Sequence, residues 1–371
     1  MRVLAFPRDL NPYQSLLYTE MQRLGVRVSY IGELTPSQTL NLLLLPLEVG
    51  VRRIAGARLI HLHWVFAFAF PGARRFPVAR RAAQLWFLVW LRTCRILGMH
   101  LVWTAHNVLP HEPVFADDMS ARRALVKACD LVLAHSQSAL AELAAFGAVA
   151  PKSVIVQHGP MPRMRSDVAL GVPGAGGEPR RFLFLGRVQE YKGVDDLLSA
   201  FAGMSDDVAV HLTVAGQCDD PRLRSRLCAL AQRCGARVAL RLERVPEAEV
   251  AQLLAAADVV VLPFRRVTTS GSAILALSHG RPLIVPDLAG LADLPEQAVL
   301  RYGGEVPGLV AALERLARAD PQVLAVMSAA ALSYVSRSTW REIAGRTIAE
   351  MISVLDNAPQ ADMRGRPVIA P

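Results

Sequence analysis

Short apolar runs alternate along the chain with longer stretches in which apolar residues recur every three or four positions. Residues 2–7, 26–31, 59–64, 100–105, 130–134 and 153–156 are runs of the first kind and predict buried strands. Residues 13–24, 37–56, 121–128 and 137–146 are of the second kind and predict helices. Pro12 suits a first helical turn, and Gly25 ends the helix it starts. The 37–56 helix carries a leucine cluster, Leu42 to Leu45, which Pro46 is expected to interrupt. Strands alternating with helices in this way predict a parallel sheet.

The same alternation resumes after a gap. Residues 159–180 are rich in Gly and Pro and show no periodicity, as a linker does. Strands are then predicted at 182–185, 209–215, 237–242, 258–263 and 282–285, with helices at 194–203, 221–234, 247–257 and 273–279. Residues 288–305 read mostly as loop, and 306–317, 321–335 and 341–355 as helices. The expected organisation is α/β, two Rossmann-like domains facing a cleft. It comprises an N-terminal acceptor-binding domain over 1–165, a linker over 166–180 and a C-terminal domain over 181–340. A helix over 341–356 is expected to pack back toward the first domain, and 357–371 to form a tail.

Charge changes this picture for the first half only. Of a net +9, residues 1–165 hold 19 Lys/Arg against 9 Asp/Glu, leaving the rest near neutral. A basic half calls for an anionic partner. Nucleic acid is disfavoured, since neither a helix-turn-helix nor an aromatic RNA-binding signature is present. Five scattered cysteines without a Cys-x-x-Cys pair support neither a zinc knuckle nor a disulfide framework. No apolar run reaches the roughly 18 residues of a membrane span, and Arg8 and Asp9 interrupt the N-terminal run where a signal peptide would continue. A cytoplasmic protein is expected. Residues 74–98, RRFPVARRAAQLWFLVWLRTCRILG, set arginines beside a tryptophan-rich apolar run. That mixture suits a helix lying on an anionic bilayer, peripheral to the inner face of the plasma membrane. A core helix with snorkelling arginines is the alternative.

Three segments carry candidate chemistry. In RFLFLGRVQEYKGVDDLL, from Arg181, a buried strand meets Gly186, which permits a sharp turn. Arg187 and Lys192 then converge on a helix start, where free N–H groups favour phosphate. A second anion cradle is Ser270-Gly271-Ser272, again before a helix. In the first half, the strand at 100–105 delivers His106, Asn107, His111 and Glu112 to its carboxyl end, where open α/β folds bind ligands. A carboxylate there can act as a general base. His61 and His63 lie on one strand face, but no third metal ligand stands near them. The loop after the first strand lacks Gly-x-Gly-x-x-Gly, which disfavours a dinucleotide site at the N-terminus.

Together these segments resemble the GT-B glycosyltransferases of the large family-4-like group. GRVQEYKGVDDLL is similar to that group's diphosphate signature, and LPFRRVTTSGSAILALSHGRPLIVP to its donor-site helix. NPY, LIHLHW, TAHNVLPHE, YKGV and TSGSAILALSHGRP are together similar to bacterial exopolysaccharide enzymes. The resemblance implies a hexosyltransferase that uses a sugar nucleotide, GDP-mannose favoured, and a lipid-linked glycan or polysaccharide acceptor. It requires no metal and no cofactor. Gly186, Arg187, Lys192, Ser270, Gly271 and Ser272 would hold the donor, and 242–245 would border the base, with Glu247 a weaker candidate. His106, His111 and Glu112 would be catalytic, with Asp117 and Asp118 as alternative bases. Asn11, Tyr13, His63 and Asn107 would meet acceptor or sugar. Retaining members carry two glutamates eight residues apart where this chain has Val267 and Leu275. Inverting chemistry is therefore expected, with retaining transfer of another sugar or a noncatalytic scaffold as alternatives.

Overall fold

In the computed structural model the described residues are 1–9, 11–73, 75–107, 113–145, 147, 152–162 and 178–356. They form two compact units: one holds the chain through Gln157 together with the segment from Trp340, the other holds His158–Thr339.

The first unit runs β1 (Arg2–Phe6), α1 (Pro12–Arg23), β2 (Arg27–Tyr30), α2 (Gln38–Ile54), β3 (Leu59–Leu62), α3 (Pro77–Ile96), β4 (His100–Ala105), α4 (Asp118–Ala128), β5 (Leu131–Ala134), α5 (Gln137–Ala145) and β6 (Ser153–Ile155). Its six strands are all parallel, in the order β2-β1-β3-β4-β5-β6. Alternate strand residues serve opposite faces. Leu4, Phe6, Ile60, Leu62, Leu101 and Trp103 join one core with α2, α3 and α4. Val3, Ala5, Leu59, Val102, Leu131 and Leu133 join the other with α1. Asn11 caps α1 by accepting from the Tyr13 N–H at 2.9 Å, with Pro12 in the first turn where its missing donor costs nothing. Contrary to the sequence expectation, Pro46 does not interrupt α2, which runs unbroken through it. The helix gives up one hydrogen bond there, and its burial of Leu42, Leu45 and Val49 holds it against the core.

The second unit runs β7 (Arg180–Leu185), α6 (Val194–Ala202), β8 (Val210–Ala215), α7 (Pro221–Cys234), β9 (Val238–Arg241), α8 (Glu247–Ala256), β10 (Val259–Val261), α9 (Gly271–Ser278), β11 (Leu283–Pro286), β12 (Val299–Tyr302), α10 (Val306–Ala317) and α11 (Pro321–Ser336). Its sheet is also all parallel, ordered β12-β11-β10-β7-β8-β9. This is the doubly wound order, whose switch point falls between β7 and β10. β12 lies in a stretch expected to be loop; it is an edge strand, and its middle residues are only half-buried.

The last helix, α12 (Trp340–Asp356), belongs to the first unit. It packs along α1, burying Ile343, Ala344 and Met351. Lys152 ties it down through Glu350 at 2.7 Å and Ser353 at 3.0 Å.

Candidate active site

A pocket of about 370 Å³ opens at the carboxyl ends of β7, β8 and β9 in the second unit. Its floor is glycine. Gly186 follows β7 and Gly216 follows β8, both at positive φ. A Cβ on Gly216 would sit 2.0 Å from the Gly186 carbonyl oxygen, so only glycine lets the two strand ends approach. Over Gly186, two polar groups converge. A Cβ there would lie 3.2 Å from Ser272 Oγ and 3.5 Å from Lys192 Nζ. Arg187, Gln217, Arg244 and Val245 line the sides, and Leu275 of α9 faces the cavity.

Lys192 is placed by backbone rather than by its own contacts. It ends a single 3-10 turn, Glu190–Lys192, and Gly193 then reverses the chain in the left-handed region into α6. Gly193 also abuts β10's exit, where a Cβ would lie 2.0 Å from the Pro263 oxygen. Arg265 fastens the same turn. Its backbone N–H donates to the Tyr191 carbonyl at 2.8 Å, and its guanidinium donates to the Glu190 carbonyl and both Asp196 oxygens. Arg226 adds bonds to Glu190 and Asp195. Each exposed pair is worth little alone, but the set leaves the turn one geometry.

Among the described residues the Lys192 ammonium has no carboxylate or hydrogen-bond partner. It lies by the rings of Phe264 (5.1 Å) and Tyr191 (5.8 Å). Burial pulls its pKa down to about 8. A buried cation above Gly186 can pair with an anion that enters the pocket. The N-terminus of α9 points the same way. Ser270 caps it through the Ala273 N–H at 3.1 Å, and the N–H groups of a helix start favour an anion.

Of the donor residues expected from sequence, Gly186, Lys192 and Ser272 are therefore brought together. Arg187 lines the pocket but is paired with Asp219 (Nε to Oδ2, 3.1 Å) in an exposed, exchangeable contact. Ser270 is a cap, and Gly271 opens α9 beside Met161. Gly216 and Gln217 were missed, although a glycine ending a predicted strand is the signal that marked Gly186.

The strand ends of the first unit are built differently. A continuous chain of hydrogen bonds crosses them. The Thr104 hydroxyl meets His61 Nε2 at 2.8 Å, and His61 Nδ1 meets the Tyr18 hydroxyl at 3.0 Å. Tyr18 reaches His63 Nε2 at 2.7 Å, His63 Nδ1 reaches His106 Nε2 at 3.0 Å, and His106 Nδ1 reaches His135 Nε2 at 3.1 Å. His135 Nδ1 ends the chain on the Val156 carbonyl at 2.8 Å. That carbonyl can only accept, so His135 carries its proton on Nδ1. Neutral His135 then accepts on Nε2, and the same choice passes to His106 and His63, to the Tyr18 hydroxyl and on to His61. One arrangement, with every imidazole neutral and protonated on Nδ1, satisfies all six bonds. Burial drives the His61 pKa to about 3 and that of His63 well below the ordinary value, with His61 and His135 adding to the effect on His63.

His63 and His106 thus lie together as expected, but both nitrogens of each ring are engaged. Trp64 stacks on His106 at 4.2 Å, and Tyr13 meets it edge-on at 4.7 Å. The Tyr13 ring is core, touching His135 and Trp340, and the Asn11 side chain is the cap of α1. Asn107 follows β4, half-buried. His111 and Glu112 lie outside the described residues. Asp117 caps α4 at Ser120, and Asp118 accepts from the Val114 and Phe115 N–H groups, which occupies both alternative bases structurally.

Two parallel six-stranded α/β units with this cation-over-glycine pocket define a GT-B glycosyltransferase fold. The likeness extends to solved structures. Sucrose-phosphate synthase from Thermosynechococcus elongatus superposes with a TM-score of 0.74 at 18% identity, over 96% of this chain and 99% of that one. Anabaena HepE in complex with UDP gives 0.68 at 18%, over 95% and 100%. Residues 179–319 match the family described as Glycosyl transferases group 1. The chain is similar to GDP-mannose:glycolipid 4-beta-D-mannosyltransferase of Xanthomonas campestris pv. campestris, 28% identical over 66% of this chain and 67% of that one. It is also similar to D-inositol 3-phosphate glycosyltransferase 1 of Catenulispora acidiphila, 29% identical over 73% and 68%.

Proposed function

We propose that the protein transfers a hexose, mannose from GDP-mannose favoured, onto a lipid-linked glycan or polysaccharide acceptor at a membrane surface, with inversion. The observation that carries the donor assignment is the buried Lys192 ammonium over Gly186, without a carboxylate partner among the described residues, beside Ser272 and the start of α9. A nucleoside diphosphate is the ligand that supplies the charge this geometry lacks. Arg187, released from Asp219, and Arg244 close on the same anion, and positive charge on the leaving diphosphate comes from side chains without a metal. Leu275 faces the pocket and offers no carboxylate, which favours an inverting route in which a separate base deprotonates the acceptor. Glu112 is assigned that role, with His111 beside it. His106, whose nitrogens are both engaged, orients the acceptor site through its ring instead. The mannose and glycolipid choices rest on the Xanthomonas relative.

Thermal shift over GDP-mannose, UDP-glucose and dTDP-glucose tests the reading. A ligand at a hundred times its dissociation constant stabilises by about 2.7 kcal/mol. The expected result is a shift with GDP-mannose, unchanged by EDTA. No shift with any sugar nucleotide would overturn the donor assignment. Loss of transfer in Glu112→Gln with binding retained tests the base.

A further inference from the structure

The first unit leaves a wide apolar plane uncovered, and it is not the one the tryptophans mark. In α3, Phe87, Trp90, Leu91 and Cys94 are buried in the core. The opposite stripe is Val78, Leu85, Val89 and Ile96, which share one face at helical spacing, and Ile96 is 75% exposed. In α2, burial of Leu42, Leu45 and Val49 turns a second stripe outward: Leu40, Leu43, Leu47, Val51 and Ile54, the last 90% exposed. Both helices pack on the same core and touch through the Trp86 indole, which donates to the Leu42 carbonyl at 2.8 Å. Their outer stripes therefore face the same way. Most of the large exposed apolar side chains among the described residues lie on these two helices.

Charge says what covers the plane. α3 contains no acidic residue, and the one in α2, Glu48, is buried and engaged by the Gly32 N–H and Arg52. Arg81 and Arg92 are exposed beside the α3 stripe and have no carboxylate partner among the described residues. Two such faces brought together would oppose like charges, which disfavours a second copy. Leucine-size side chains at the centre with arginines at the edge fit the boundary between acyl chains and anionic headgroups. No helix among the described residues is long and apolar enough to cross a membrane.

We infer that α2 and α3 together form a docking plane for an anionic lipid surface, with Leu47 and Ile54 of α2 as deeply engaged as Val78 and Ile96 of α3. This deepens the membrane clause of the proposed function, and it adds a helix whose sequence shows no basic-aromatic signature. Docking is independent of the donor pocket. Flotation of the full chain with phosphatidylglycerol–phosphatidylcholine vesicles, against pure phosphatidylcholine, tests it. Binding is expected only to the anionic vesicles. Leu47→Glu/Ile54→Glu and Val78→Glu/Ile96→Glu should each lower partitioning by roughly a hundredfold, about tenfold for each apolar side chain withdrawn from lipid. All four positions are exposed, and an unchanged melting midpoint by tryptophan fluorescence, which reports the first unit, shows that each variant is folded. Wild-type partitioning by the α2 variant would overturn the two-helix plane. Absence of vesicle binding by the wild type, with nucleotide binding intact, would overturn docking and leave the transferase reading standing. A wild-type dimer that either variant converts to monomer, with vesicle binding unaltered, would assign the plane to self-association and overturn the lipid.

Discussion

The two units set the same scaffold to opposite uses at the carboxyl ends of their strands. The second unit ends β7 and β8 in glycine, brings backbone against backbone, and leaves one ammonium, that of Lys192, without a hydrogen-bond or carboxylate partner among the described residues. The first ends β3, β4 and β5 in histidines whose nitrogens are all used. An open, charge-deficient end can receive an anion at little reorganisation cost. A closed chain of neutral rings gives a fixed, uncharged wall. Strand order alone distinguishes neither, so the chemistry lies in which side chains follow each strand.

Gly216→Ala breaks the comparison hardest, because its Cβ would occupy the position of the Gly186 oxygen. Nucleotide binding should be lost, by more than about a hundredfold in calorimetry, together with several kcal/mol of stability of the second unit. Acid comes next, and it should act on the first unit. A histidine held neutral by burial binds its proton only after unfolding, so stability falls as pH drops below the ordinary value near 6.5 and continues to fall toward the folded value, about 3 for His61. His61 and His63 are both shifted in this direction by burial, so their losses add in that window. All five tryptophans lie in the first unit, so their fluorescence isolates it; a flat midpoint between pH 6 and 5 would contradict the neutral chain.

Lys192→Ala should weaken nucleotide binding by about thirty- to a hundredfold while leaving the tryptophan-reported midpoint in place. The same lysine gives a pH signature of opposite sense. Its folded pKa near 8 means that above pH 8 the free protein loses the proton the anion needs, so affinity should fall about tenfold per pH unit. Constant affinity to pH 9.5 would remove Lys192 from the diphosphate. The smallest effect is expected from Tyr18→Phe, which deletes the hydroxyl linking His61 to His63. A loss of about 1–3 kcal/mol in the first unit with unaltered nucleotide affinity would sharpen the division.

Much of this was legible. Strand-ending glycine followed by a basic residue and a helix start marks Gly186 and Lys192, because close backbone approach leaves its trace in a single residue type. The buried stripe of α3 was legible too, since Phe87, Trp90, Leu91 and Cys94 share one helical phase, yet composition drew the eye to the tryptophans as lipid-facing. Other features were hidden for physical reasons. β12 is an edge strand with half-buried middle residues, so it shows no continuous apolar run. Pro46 stays within α2 because burial on one face outweighs one lost bond. The histidine chain joins positions some forty residues apart, and only the strand order β3-β4-β5-β6 makes them neighbours.

That chain also has an electric sense. Because the Val156 carbonyl can only receive, every hydrogen from Thr104 to His135 points along the chain toward it; the chain doubles back through Tyr18, and its last three bonds, from His63 through His106 and His135 to Val156, add head to tail from the end of β3 to that of β6. The sheet therefore carries a transverse polarity, positive toward β6 and negative toward His63 at the end of β3, created without a single net charge. Nitrogen-15 shifts of the four rings would read it directly, since one carbonyl fixes the tautomer of a histidine five bonds away.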